Sequence, residues 1–430
     1  MNLIIHRGAQ EIGGNCIELQ SSNSRILLDY GMPLPKKGEK KQKDNARFVL
    51  DKIDGLYGDA PTNLKGILIS HTHQDHYGML FEKPVNPQVP VYMTPIMEDI
   101  IRITGKMGLQ KKDLEATIKP FQKGVPFQVG NFKITAYLMD HSAAEAYAFI
   151  IEAEGKKILY SGDFREHGHK KNAFKYFMDT DFGKIDLALI EGTMLGRQDE
   201  IEKTEKDIFY EIKHLVEKSK GPAFVLCSGQ NIDLITTLGG IADKTGRYLL
   251  IDAYVGILLE RIKELGLKAG FDAKIPSSIK NYVKVMPLNI TKKVAKLGYA
   301  DAFERVISKE VNWCWIYNNY MKCIVPIRTG SEHWIKHFHG QQDSLFIYSM
   351  WDGYLEELKF KEMTNLFKCY GVERKDIHTS GHAFKSTLIK VIKNKKPAII
   401  IPIHTEHPDK YTELFPNVTI LSNGVKHKIN

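Results

Sequence analysis

A chain of 430 residues, 43% hydrophobic and 26% charged, has the proportions of an ordinary globular protein; this excludes a fibrous or largely disordered molecule and leaves room for two domains or one domain with an insertion. The net charge of +9 suits an anionic partner such as nucleic acid, and suits a lysine-rich solvated surface equally well. Cys16, Cys227, Cys314, Cys323 and Cys369 lack CxxC spacing and read as reduced thiols, the N-terminus MNLIIHRGAQ has no signal-peptide profile, and no window reaches the roughly 18 apolar residues of a spanning helix, so a cytoplasmic, membrane-free protein is expected.

In chain order, NLIIHRG, NCIELQ, RILLDYG and LKGILIS read as short strands separated by turns, with Gly13-Gly14 marking one of them. PLPKKGEKKQKDN, between the last two, reads as an exposed loop. After a histidine-rich segment come a strand PQVPVYM, a helix from about Pro95 to Lys119, and strands in FQVGNFKITAYLMD, YAFIIEAEG and KKILYSGDF. From Glu191 onward the pattern becomes βα alternation: helix TEKDIFYEIKHLVEKS, strand PAFVLCS, helix NIDLITTLGGIADKTG and strand RYLLIDA, then CIVPIR and SLFIYSM. Residues 196–375 therefore read as a second α/β domain, after which a loop, a helix and the strand AIIIPIH close the chain.

The chemistry is concentrated in GILISHTHQDHYG. Alternate residues at the end of an extended segment point the same way, so His71 and His73 can chelate one ion, while Asp75 and His76 in the following turn can face a second. His141 and Asp163 stand at later strand ends, where functional side chains collect in layered α/β folds; taken singly, each is as easily a structural hydrogen-bonder or a turn residue.

The ordered set HTHQDH, His141 and Asp163, with the opening IHRGAQEIGGNCIEL and the strand ILLDYG, resembles the metallo-β-lactamase fold, an αββα sandwich of the α/β class. Glu191 in LALIEGTML, His382 in HTSGHA and His404 in AIIIPIHTEH narrow the resemblance to the β-CASP nucleases, with HTSGHA nearest in form to ribonuclease J. The resemblance implies a metallo-β-lactamase domain over residues 1–195 and 376–430 with a β-CASP domain inserted at 196–375. It implies two divalent ions, zinc or alternatively manganese, one held by His71, His73 and His141 and the other by Asp75, His76 and His404, with Asp163 bridging and Asp29 supporting the histidine loop. Asp75, Glu191 and His382 are then the catalytic set, and His378, Ser380 and Gly381 contact a substrate phosphate. The implied activity is hydrolysis of single-stranded RNA, exonucleolytic, endonucleolytic or both, by a hydroxide activated between two metals. Action on DNA, or a catalytically silent nucleic-acid-binding protein, are the competing readings.

Other features carry less. His333, His337 and His339 in EHWIKHFHG lack a carboxylate or cysteine partner; Trp313, Trp315, Tyr317 and Tyr320 form an aromatic cluster of the kind more often found in a core than stacked on bases; and SGQN at 228–231 reads as a strand-to-helix turn as readily as a phosphate loop.

Overall fold

A computed structural model describes residues 1–34, 50–107, 112–197, 202–268, 280–287, 299–338 and 340–429. The lysine-rich loop falls outside these residues from position 35 on, as does His339. The chain divides into two compact units, the first comprising Met1–Gly105, Gln110–Ile201 and Gly381–Asn430, the second Lys106–Leu109 and Glu202–Ser380.

Unit 1 is built on two sheets. Strands β1 (Asn2–Arg7), β2 (Cys16–Ser21), β3 (Ser24–Leu28), β4 (Leu64–Leu68), β5 (Val91–Met93) and β6 (Ile118–Pro120) lie side by side in that order, with Lys426–Lys428 outside β1. The second sheet runs β7 (Phe127–Val129), β8 (Phe132–Leu138), β9 (Tyr147–Ala153), β10 (Lys156–Tyr160) and β11 (Leu187–Glu191), with Ile399–Ile403 as its far edge. Alternation along β9 explains the layering, since successive side chains of a strand point to opposite faces. Phe149 and Ile151 join Leu3, Ile5 and Ile26 of the first sheet in one core. Ala148 and Ile150 turn instead to Phe174, Phe177, Leu388 and Val391, on helices Lys171–Asp179 and Lys385–Lys395.

Strand direction in the second sheet decides where function can collect. β9 is antiparallel to both β8 and β10, while β11 is parallel to β10 and to Ile399–Ile403. Consequently β8, β10, β11 and Ile399–Ile403 point the same way, and the residues that follow them emerge along one edge. Pro402 is accommodated in the last of these because that strand is at the sheet's edge, where a missing N–H interrupts no ladder.

One expected element is shorter than read. The helix beginning at Pro95 ends at Met107, and Ile118–Pro120 forms β6, parallel to β5. The β-branched pair Thr117-Ile118 finds a partner strand, so sheet pairing overrides a helical pattern extended too far by apolar residues.

Among its described residues, unit 2 holds a six-stranded sheet of β12 (Ala223–Leu226), β13 (Tyr248–Ile251), β14 (Val283–Val285), β15 (Cys323–Ile327), β16 (Leu345–Tyr348) and β17 (Arg374–Asp376), in the order β14-β13-β15-β12-β16-β17 and parallel throughout. Helix Glu205–Lys218 is started by a capping box between Thr204 and Asp207, and helix Ile232–Thr245 by Asn231, whose side chain accepts from the Leu234 N–H. Among the described residues no helix is long and apolar enough to cross a membrane.

A buried cation closes the helical layer of unit 1. Lys395 Nζ donates to the carbonyls of Phe177 at 2.7 Å, Met178 at 3.1 Å and Thr180 at 2.8 Å, capping helix Lys171–Asp179. Lys395→Ala should lower the stability of unit 1 by about 2–3 kcal/mol, because the amine's hydrogen bonds and its packed stem are lost together. Burial pushes the Lys395 amine down to about 8, so between pH 8 and its ordinary range the unfolded chain holds more protons than the folded one. The advantage of wild type over the variant should therefore grow as pH rises through that window. Denaturant unfolding followed by far-UV circular dichroism at pH 7 and pH 9.5 checks both statements; all four tryptophans, Trp313, Trp315, Trp334 and Trp351, lie in unit 2, so their fluorescence is the wrong probe.

Candidate metal centre

β4 runs out through Ile69 and Ser70 to His71 and His73, and the chain then turns into the short helix Gln74–Tyr77, which presents Asp75 and His76. A bridge between His71 and Ala146 joins this segment to the loop following β8. That loop carries His141; the turn after β10 carries Asp163; Glu191 is the last residue of β11; His404 follows Ile399–Ile403. The edge on which the four co-directional strands end is thus the edge that holds the acidic and histidine side chains. His382 reaches the same place from the turn before helix Lys385–Lys395.

Four overlapping sets of donors, each within 4.8 Å of one another, result: His71, His73 and His141; His71, His76 and Asp163; Asp75, His76 and His404; Asp163, His382 and His404. Asp163 is central, with Oδ2 at 3.1 Å from His76 Nε2, 3.6 Å from His71 Nε2 and 3.6 Å from His382 Nδ1. Asp75 Oδ2 lies 3.2 Å from His404 Nε2. The Nε2 atoms of His71 and His76 and both carboxylate oxygens of Asp163 are buried and, apart from their close approach to one another, make no well-formed hydrogen bond among the described residues. Buried polar atoms are otherwise nearly always satisfied, and converging imidazole and carboxylate donors are what a zinc- or manganese-type ion requires. The residues fit such ions.

Outer partners aim the rings. His76 Nδ1 is 2.7 Å from Asp29, His71 Nδ1 3.1 Å from Ser70 Oγ, His404 Nδ1 2.7 Å from Thr193 Oγ1, and His141 Nδ1 meets the Gly381 carbonyl. With Nδ1 engaged, Nε2 is left to face inward. Asp29 also accepts from the Ser70 N–H and hydroxyl and from the Tyr160 hydroxyl. Two of these residues sit in left-handed backbone, Asp29 at φ 60° and His404 at φ 50°, a conformation that non-glycine residues keep where the surroundings enforce it.

The electrostatics divide the histidines. Burial, reinforced by neighbouring rings, pushes His71 and His141 well below the ordinary imidazole range and brings His73 down to about 4. These three present neutral lone pairs. Burial acts the same way on His76, yet Asp163, Asp29 and Asp75 outweigh it and raise the ring; Glu191 and Asp163 do so for His382. Burial would raise Asp75 and Asp163, but His76 and His404 hold Asp75 at about 2, and His404, His76 and His382 hold Asp163 well below the usual carboxylate range. The side chains of Asp75 and His382 keep 13% and 20% exposure and His73 is half-buried, so these three are members of the cluster that an incoming molecule can reach.

Every residue expected as a ligand, together with Glu191, His382 and Asp29, is found in this one cluster or bonded directly to it. Of the three expected phosphate contacts, Gly381 adjoins His141, whereas His378 and Ser380 fall within unit 2. Ser70, Tyr160 and Thr193 were not singled out from the sequence. Ser70 and Thr193 each stand within two residues of an expected site residue, which is a usable signal; Tyr160 offers none. In unit 2, the loop 228–231 is a strand-to-helix turn, with the Gln230 N–H on Ser228 Oγ. His333 lies in helix Glu332–Ile335 and His337 beyond its end, so the two do not share a helical face. Trp315 packs on Tyr248, while Trp313 and Tyr317 are 37% and 56% exposed, so the aromatic cluster is only partly core.

Comparison with known proteins agrees with the geometry. Residues 50–233 match the Beta-lactamase superfamily domain, and residues 372–413 match the Zn-dependent metallo-hydrolase RNA specificity domain. An RNase J-like protein of Methanocaldococcus jannaschii is 29% identical over 249 residues, 54% of this chain and 53% of that protein. Ribonuclease J of Sinorhizobium meliloti is 22% identical over 414 residues, 93% of this chain and 68% of that protein. The chain thus spans about half to two thirds of the length of these relatives. A crystal structure of a protein of unknown function from Enterococcus faecalis shares the fold, with a TM-score of 0.74 at 18% identity over 99% of both chains. An αββα sandwich with an inserted α/β unit, its donor cluster on one sheet edge and the RNA specificity match around His382 and His404 place this chain in the metallo-β-lactamase superfamily, in the β-CASP branch close to ribonuclease J.

Proposed function

We propose that the protein is a metal-dependent ribonuclease that hydrolyses RNA phosphodiester bonds, with residues 1–195 and 376–430 as the metallo-β-lactamase domain and 196–375 as the inserted β-CASP domain. The observation that carries the reading is the set of overlapping donor groups linked through His71, His76, Asp163 and His404, with Glu191 beside His382. His71, His73 and His141 would hold one divalent ion and Asp75, His76 and His404 the other, with Asp163 between them. Bound there, zinc or manganese would bring the pKa of water toward about 7 and neutralise charge on a phosphate.

The chain's own residues supply the remaining chemistry. Asp75, partly exposed, is placed to take a proton from the attacking water. His382 is placed to give one to the leaving oxygen, and Glu191, 3.4 Å from its Nδ1, favours the protonated ring. Glu191 also accepts the N–H groups of Phe164, Thr193 and Ala383, so a single buried carboxylate fixes the turns next to Asp163, Thr193 and His382 relative to one another. The backbone at His378, Ser380 and Gly381 is proposed to receive a substrate phosphate.

Supplied with zinc or manganese, the protein should degrade single-stranded RNA, leave a matched DNA oligonucleotide much less affected, and lose on the order of 10³-fold in rate on Asp75→Ala or His382→Ala. End-labelled RNA with 5′-monophosphate, triphosphate or hydroxyl ends separates exonucleolytic from endonucleolytic products. Equal attack on DNA would move the substrate assignment, and a wild-type chain that binds RNA without turnover would make it a binding protein.

A further inference from the structure

We infer that the buried pair Asp140 and Arg165, closed over by Gly168, is a positioning device that fixes the His141 loop against the Asp163 turn and so sets how tightly the His71, His73 and His141 subsite holds its ion; this rests on the metal-centre reading above.

β8 and β10 are not neighbours, because β9 lies between them. Nothing in the sheet ladder therefore fixes the spacing of the His141 loop and the Asp163 turn beyond the strand ends. A separate contact does so. Asp140, immediately before His141, forms an antiparallel bridge with Arg165, two residues after Asp163, and the Arg165 N–H donates to the Asp140 carbonyl at 2.7 Å. The Asp140 carboxylate then accepts the N–H groups of Gly168 at 2.6 Å and Lys170 at 3.2 Å, with Arg165 Nε at 3.9 Å. Both side chains are fully buried, and Arg165 is among the largest fully buried side chains in the protein.

The segment from Arg165 to Lys170 is a strap anchored on two sides. On one side it lies flat on the charged pair: a Cβ at Gly168 would come within 2.4 Å of Asp140 Oδ1, 2.5 Å of Arg165 Nε and 2.6 Å of Arg165 Nη2. On the other, the His167 ring stacks on Phe384 at 4.3 Å, and Glu166 accepts from Thr387 and Lys390. The strap thereby connects the His141 loop, the Asp163 turn and the helix that follows His382. A buried ion pair seldom stabilises a fold more than well-packed apolar groups of the same volume, since desolvation offsets the attraction. What the pair offers beyond stability is direction: a buried carboxylate held by two backbone N–H groups, with the Arg165 charge beside it, resists displacement, and so does the histidine next to it.

Three variants decide the matter. Asp140→Asn keeps the shape and removes the charge; Gly168→Ala keeps both charges and displaces the strap; Lys395→Ala damages unit 1 at the C-terminal end of helix Lys385–Lys395, where the amine bonds the carbonyls of Phe177, Met178 and Thr180 and touches neither the strap nor the pair. Ions per chain are counted by elemental analysis after dialysis in zinc buffers, and affinities are measured by chelator competition, with folding checked by circular dichroism. Wild type should hold two ions. Asp140→Asn and Gly168→Ala should keep one at wild-type affinity and bind the other about 10–100-fold more weakly, in the range typical of lost outer-shell support, while Lys395→Ala keeps both. If one strap variant does not fold, the other decides. Two ions bound at wild-type affinity in the folded strap variants, or an equal weakening of both sites that Lys395→Ala shares, overturns the positioning role alone. A wild-type chain that holds no divalent ion overturns the metal-centre reading, and this inference with it.

Discussion

Asp163→Ala should strip the centre of tightly held metal and reduce hydrolysis by on the order of 10³-fold or more, a larger loss than the 10–100-fold expected for an outer partner. The reason is its position. Among the described residues, Asp163 is the one carboxylate that belongs to two of the donor groups and lies within 4 Å of His71, His76, His382 and His404. Its removal would take a donor from both proposed ion sites and leave the raised rings of His76 and His382 without the anion that favours their charge. The same logic fixes a pH dependence for the chelator-treated protein. The neighbouring histidines hold the Asp163 carboxyl well below the usual carboxylate range, so the unfolded chain binds the extra proton as pH falls. The stability contributed by Asp163 is therefore present above that range and is lost on acidification. Wild type should exceed Asp163→Ala in stability at pH 7, and the gap should narrow toward pH 3. Elemental analysis, RNA turnover and thermal unfolding in chelator are the three measurements; a variant that still holds two ions tightly removes Asp163 from the centre of the site.

How much of this was legible in the sequence depends on how local the signal is. His71, His73, Asp75 and His76 fall within six positions after a strand, so the motif and the geometry coincide; the alternation that puts His71 and His73 on one side is a property of extended chain. His141, Asp163, Glu191 and His404 each carry almost nothing alone. They become a set only because β8, β10, β11 and the strand Ile399–Ile403 run in one direction, a fact of sheet topology that no window of sequence contains; family resemblance stood in for it. Asp140, Arg165, Tyr160 and Ser70 were passed over because their meaning is purely tertiary: a buried arginine looks like any surface arginine until the fold surrounds it. The overlong helix from Pro95 has the same origin, since the partner that makes Ile118 a strand residue is β5, some 25 residues earlier in the chain. The limits of the two unit 2 helices read from the sequence, Glu205–Lys218 and Ile232–Thr245, were right to within a residue or two, because Thr204 and Asn231 are capping residues whose effect is local, whereas helices Ala253–Lys268 and Leu358–Cys369 were not read.

Asp29→Ala should cost about 3–5 kcal/mol of stability and weaken metal binding about 10–100-fold, although Asp29 touches no ion in the proposed arrangement. Four donors converge on its carboxylate: the Ser70 N–H at 2.7 Å, the Ser70 hydroxyl at 2.8 Å, His76 Nδ1 at 2.7 Å and the Tyr160 hydroxyl. All are buried, so truncation leaves them unsatisfied rather than hydrated. The backbone adds a second cost. At φ 60° an alanine pays roughly 1–2 kcal/mol for the left-handed conformation, which glycine adopts freely. Asp29→Gly should therefore be the more stable of the two variants, by about 1 kcal/mol, reversing the usual ranking in which glycine is worse than alanine. Asp29→Asn should keep the backbone but turn an amide N–H₂ toward groups that are themselves donors, so it should recover little of the metal affinity. Denaturant unfolding by circular dichroism and chelator competition on the three variants give the ordering directly. An alanine variant as stable as the glycine variant would show that position 29 relaxes out of the left-handed region once the carboxylate is gone, and that the hydrogen bonds, not the chain, hold Asp29 there.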